Sequence, residues 1–60
     1  MNDRQIKAVQ YVREKGKITN SEYQAINEIS DRTSSRELEN LTQMSILKKV
    51  GDKKGTYYEL

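Results

Sequence analysis

The sequence predicts an α+β domain in which three helices precede a β-hairpin, and three observations support that class. Apolar residues recur at spacings of three and four in three successive segments between Asp3 and Met44. Each segment is opened by a residue able to cap a helix: Asn2, Thr19 and Ser30. From Ile46 onward the pattern changes to β-branched, aromatic and alternating residues interrupted by Gly51 and Gly55, which reads as two strands and a turn.

The first helix is expected from about Asp3 to Lys15. Asn2 caps it, Gln5 takes the third helical position of a capping box, and Ile6, Ala8, Val9 and Val12 form an apolar stripe bordered by Tyr11. Gly16 ends the helix because it takes a positive φ without strain, and Lys15 suits the negative C-terminal end. Lys17-Ile18-Thr19 has length only for a bridge to the hairpin, with Ile18 as its anchor. Thr19 and Glu22 stand at capping-box spacing and open a short second helix over about Asn20 to Glu28, with Tyr23, Ile26 and Ile29 on its buried side.

Ser30 caps a third helix, 31–44, and Asp31 favours its positive end. Leu38 and Leu41, joined by Ser34 and Met44, point inward. Ser45 stands where a glycine ordinarily ends such a helix, so either it turns left-handed or the helix ends differently. Strands are expected over Ile46 to Val50 and Thr56 to Leu60, with Gly51 to Gly55 as the connection. Tyr57 and Tyr58 alternate across the last strand, and Tyr58 is assigned to the interior. The core then draws on Ile6, Val9, Val12, Ile18, Tyr23, Ile26, Ile29, Leu38, Leu41, one of Ile46 and Leu47, Val50 and Tyr58.

Composition narrows the function. Sixty residues make a single domain, and a chain of this size buries only ~60% of the surface its unfolded form exposes. Cysteine and histidine are both absent, which removes disulfides, thiolate or imidazole metal ligands and the usual general bases and nucleophiles. Glu37 and Glu39 lie two apart and so on different helix faces, which makes no acid and base pair. The Gly51 to Gly55 segment lacks the Lys-Ser/Thr ending of a phosphate-cradling loop. The chain is therefore read as no enzyme, with no metal and no cofactor. No apolar run reaches the ~20 residues that span a bilayer and no apolar signal segment opens the chain, so no membrane partner and a cytoplasmic location are expected.

The net charge of +2 hides an uneven distribution. Residues 46–55 hold four lysines against one aspartate, while the remainder holds seven cations and eight anions. The hairpin thus carries the positive excess, which suits phosphate contact as well as simple solvation of an exposed turn. Helix N-terminal residues enter a major groove first. There Arg can pair bidentately with guanine, and Ser, Thr and Asn reach other base edges or phosphates.

Lys17-Ile18-Thr19-Asn20-Ser21-Glu22-Tyr23, then Ser30-x-Arg32-Thr33-x-x-Arg36-x-Leu38-x-x-Leu41, then Ile46-Leu47-x-x-Val50-Gly51-x-x-x-Gly55-Thr56-Tyr57-Tyr58 resembles the winged helix-turn-helix DNA-binding family over almost the whole chain. It is similar to the C-terminal module of RecG-related and Schlafen/AlbA-type ATP-binding transcriptional regulators and of some Fic-type proteins. The resemblance implies a double-stranded DNA-binding module of a transcriptional regulator or helicase-related protein. In it the third helix reads the major groove and the Gly51 to Gly55 wing rests on phosphates. It puts Arg32, Thr33, Ser35, Arg36 and Asn40 at or beside DNA and Lys53 and Lys54 on the backbone, with Lys48 and Lys49 as weaker contacts. Asp31, Glu37 and Glu39 would face phosphates unless paired with Arg32 or Arg36 or turned aside.

A lone module of this size buries little surface, so the chain is expected to be the C-terminal piece of a longer protein or to pair as a homodimer. Any catalysis would then belong to an upstream domain. The rival reading is a winged helix used for protein interaction or dimerisation, and RNA binding is a third.

Overall fold

The computed structural model describes residues 1–52 and 55–60, with the backbone alone for Asp52. Lys53 and Lys54, expected at the hairpin tip, lie outside the described residues. Helices α1 (Asp3–Lys15), α2 (Asn20–Asn27) and α3 (Asp31–Gln43) precede an antiparallel pair of strands, β1 (Lys48–Asp52) and β2 (Gly55–Glu59). The architecture is α+β, three helices followed by a two-stranded sheet.

Local chemistry fixes the helix ends. In α1 the Asn2 Oδ1 accepts from the Gln5 backbone N–H at 2.8 Å, and Gln5 Oε1 accepts from the Asn2 backbone N–H at 3.0 Å. Gly16 then turns left-handed at φ 97°, and its N–H donates to the Val12 carbonyl at 2.7 Å. In α2 the same reciprocal box joins Thr19 and Glu22, at 3.2 and 2.8 Å. Ser30 Oγ accepts from the Thr33 N–H at 3.3 Å and opens α3.

Two ends depart from the glycine rule. Glu28 and Ser45 take φ of 52° and 61°, a region that costs a side chain roughly 1–2 kcal/mol. Helix α2 stops at Asn27, one residue before the expected Glu28. Ser30 must stand in extended backbone to cap α3, and Glu28 makes the necessary turn. Helix α3 likewise ends at Gln43 rather than 44, and of the two alternatives for Ser45 the left-handed one is present.

The hairpin differs from expectation at both ends. The backbone N–H groups of Ile46 and Leu47 both donate to the Leu41 carbonyl, so the chain is still leaving α3 there and β1 starts only at Lys48. The ladder then continues through Gly51↔Thr56 and Asp52↔Gly55, so Gly51, Asp52 and Gly55 belong to paired strand rather than to the connection. Gly51 has φ 117°, and a Cβ there would collide with the Gly55 carbonyl oxygen. Leu60 falls outside β2 and is exposed. The predicted bridge forms: Ile18 N–H donates to the Tyr58 carbonyl at 2.9 Å, and the Ile18 carbonyl accepts from the Tyr58 N–H at 2.8 Å.

The core consists of Ala8, Val12, Ile18, Tyr23, Leu38, Leu41, Leu47 and Tyr58, with Val9, Tyr11, Ile26, Ile29 and Ile46 packed half-buried against it. Two expected members are corrected, and so is Met44, which was expected to point inward. Ile6 is 43% exposed because the inward line of α1 runs through Gln5, Ala8 and Val12, one residue out of phase with it. Val50 pairs with Tyr57 on the strand position opposite in sense to buried Tyr58, and stays half-exposed. Met44 comes after the last turn of α3 and lies at the surface. Gln5, Ser34 and Glu37 are buried polar residues, and among the described residues no buried side-chain polar atom lacks a hydrogen bond. Fully buried Ser34 lets α3 approach α2 closely, its Oγ donating to the Asn20 carbonyl at 3.3 Å. Among the described residues no helix is long and apolar enough to cross a membrane.

Candidate nucleic-acid interface

Helix α3 turns Ser34, Glu37, Leu38 and Leu41 inward. At 3.6 residues per turn this places Arg32 and Arg36 on the opposite side, one turn apart, and both are exposed. Neither makes a hydrogen bond or ion pair among the described residues, so Asp31, Glu37 and Glu39 are not paired with them.

The other predicted contacts on α3 are partly committed. Half-buried Thr33 donates its backbone N–H to Ser30 Oγ, and its Oγ1 accepts from the Ser30 hydroxyl at 3.1 Å. Exposed Ser35 accepts from Asn20 Nδ2 at 2.6 Å, which ties it to the start of α2. Exposed Asn40 accepts through Oδ1 from Gln5 Nε2 at 3.2 Å, which ties it to α1. The five residues therefore lie along one outward band of α3, with the two arginines at its middle and the polar residues anchored at its edges.

The carboxylates of α3 behave differently from one another. Glu37 is turned aside into the protein. Arg4 grips it with Nε at 3.0 and 3.1 Å and with Nη2, Tyr23 donates its hydroxyl at 2.6 Å and Asn2 donates Nδ2 at 3.0 Å. The Arg4 hydrogen bonds, aided by Tyr23 and Asn2 and opposed by burial, hold the Glu37 carboxyl down to about 2. Burial first, and the Glu37 bond second, push the Tyr23 phenol well above its ordinary value. Asp31 accepts from Gln24 Nε2 at 3.2 Å, and both Asp31 and Glu39 remain exposed beside the arginines. One of three expected negative charges is thus withdrawn from the outward band.

On the hairpin side, Lys48 and Lys49 are both exposed. Lys49 is the one paired across the ladder with buried Tyr58, so its stem leaves the core side of the sheet. Lys17 lies over the Tyr57 ring, 4.8 Å from its centroid. Gln5, Asn2 and Arg4 had no place in the sequence-based site. Their partners on α3 are more than thirty residues away, beyond any local pattern. Glu37 did carry a signal, because the spacing Ser34, Glu37, Leu38, Leu41 sets it on the buried stripe.

Among the described residues no group of three or more Asp, Glu, His or Cys is arranged to hold a metal ion. No protein-family model, curated protein or solved structure matches the chain.

Proposed function

We propose that the chain is a winged-helix module that binds double-stranded DNA, with α3 entering the major groove and the β1–β2 hairpin as the wing. The observation that carries the reading is the pair of outward guanidinium groups of Arg32 and Arg36, unpartnered among the described residues, on a helix whose adjacent acid, Glu37, is held inside by Arg4 and Tyr23. Two guanidinium forks on one helix face suit guanine edges and phosphate oxygens. Thr33, Ser35 and Asn40 flank them, and Lys53 and Lys54 supply backbone contact from the wing tip. No cofactor takes part. A module this small gains useful affinity through a second copy or a tethered domain, which fits a role as one unit of a transcriptional regulator or helicase-related ATP-binding protein.

Fluorescence anisotropy with a mixed-sequence duplex at low and moderate salt tests this. Binding should weaken steeply with salt, and the Arg32→Ala, Arg36→Ala double variant should bind more weakly with a log–log salt slope reduced by about 2, near 0.9 for each lost phosphate contact. Equal binding by the two proteins, or no binding by either, contradicts the proposal.

A second reading, dimerisation or docking on another protein, draws on exposed apolar residues near the end of α3. Met44 is 44% and Leu60 59% exposed, and Leu60 shares a shallow depression with Ile46 and Leu47. Sedimentation that changes with protein concentration in the absence of DNA would favour it.

A further inference from the structure

Gln5 is buried and every one of its amide positions is dictated by its partners. Its Oε1 faces the Asn2 backbone N–H, which is only a donor, and its Nε2 faces the Glu37 carbonyl, which is only an acceptor, at 3.1 Å. The orientation of this side chain is therefore unambiguous. The remaining Nε2 proton points to Asn40, so the atom it meets there has to be the Asn40 oxygen, at 3.2 Å. The Asn40 Nδ2 is consequently turned away from α1. It makes no hydrogen bond among the described residues, and Asn40 itself is exposed.

We propose that Gln5 is a positioning residue that holds the Asn40 oxygen toward α1 and so turns the Asn40 Nδ2 to the outward band of α3. Asn40 then offers N–H groups to acceptor atoms of DNA, either a phosphate oxygen or the N7 and O6 edge of guanine. The second lone pair of its oxygen stays on the side held toward α1, so the paired contact by which asparagine recognises adenine through N6 and N7 is disfavoured. The inference rests on the DNA-binding reading above and deepens it: the specificity of a residue on α3 is set by a residue on α1, through an amide whose orientation the backbone of both helices enforces.

The test uses the full 60-residue chain and the best-bound duplex from a randomised pool. Single atoms of that duplex are then altered: 7-deazaguanine removes the guanine N7, a methylphosphonate removes a charged phosphate oxygen, and purine in place of adenine removes the 6-amino group. One of the first two changes should weaken wild-type binding about 3–10-fold, the scale of one hydrogen bond, and leave Asn40→Ala unaffected. The 7-deazaguanine arm identifies a base contact and the methylphosphonate arm a phosphate contact. Loss of the adenine 6-amino group should affect wild type and Asn40→Ala alike.

If removal of the 6-amino group weakens wild type but not Asn40→Ala, the Asn40 oxygen is reading adenine and the inference fails. It also fails if Asn40→Ala binds every duplex as wild type does. Absence of any duplex binding by wild type instead sinks the underlying DNA reading, and is visible before any variant is made. Gln5→Met gives an independent readout on base preference, which a merely structural role would leave unchanged. Freed of Gln5, Asn40 should gain dependence on the adenine 6-amino group, and an unaltered preference in a folded Gln5→Met protein counts against the positioning role.

Discussion

Glu37 concentrates more polar interaction than any other side chain described, and its loss should be felt in stability and in pH dependence. Removing one partner of a fully buried ion pair costs about 3–5 kcal/mol. Arg4 is 43% exposed and returns readily to water, so Glu37→Leu should cost less, about 1–3 kcal/mol, chiefly from the stranded Tyr23 hydroxyl. Urea unfolding of Glu37→Leu against wild type measures this. The carboxyl titrates near 4.5 when free and is held to about 2 in the fold, so the unfolded chain takes up the proton first as pH falls. Its contribution is complete above pH 4.5 and is lost between there and pH 2, and acid titration monitored by circular dichroism should show a shallower decline for Glu37→Gln. At the alkaline end the sign reverses. The Tyr23 phenol keeps its proton in the fold while the unfolded chain ionises above pH 10, so stability falls as pH rises beyond that value. The spacing of Glu37 to Ser34 and Leu41 carried a signal of its inward position, although in sequence it stood among the acids facing phosphates unless paired or turned aside. Its partners Asn2 and Arg4 were not legible, because they meet it across more than thirty residues of chain.

Helix boundaries rest on caps that span three residues, and that is why α1, the start of α2 and the start of α3 could be read directly from Asn2-Gln5, Thr19-Glu22 and Ser30-Thr33. Thr19→Ala should destabilise the fold by about 1 kcal/mol, since it removes a side-chain acceptor from the Glu22 N–H. Glu28 and Ser45 are the opposite case. Each is held at positive φ by its C-terminal neighbours, the cap of α3 in one case and the Leu41-bound turn into β1 in the other. Glu28→Gly and Ser45→Gly should each stabilise the protein by up to about 1 kcal/mol, less the entropy that glycine adds to the unfolded chain, and denaturant midpoints would show it. The hairpin was legible as a hairpin but not in its extent. Glycine is a turn signal in sequence, whereas Gly51 serves here inside the ladder, where only the absence of a side chain permits the Gly55 carbonyl to approach.

Assembly of the three helices places charge more selectively than a count of +2 suggests. The packing of α1 and α2 against α3 withdraws Glu37, anchors Ser35 and Asn40 at the edges of the outward band and leaves Arg32 and Arg36 at its centre. That the band faces outward was legible, because the apolar period of α3 assigns it. The anchoring of its edges was not, because Gln5 and Asn20 come from other helices. The surface proposed to meet DNA is thus a product of tertiary packing acting on a readable helical pattern. The most direct test is an NMR titration of the 15N-labelled chain with a mixed-sequence duplex at low salt. Amide and side-chain shifts should concentrate on Arg32, Thr33, Ser35, Arg36 and Asn40 and reverse when salt is added. Shifts confined to other faces, shifts indifferent to salt, or a spectrum unchanged by DNA would contradict the proposed role of α3.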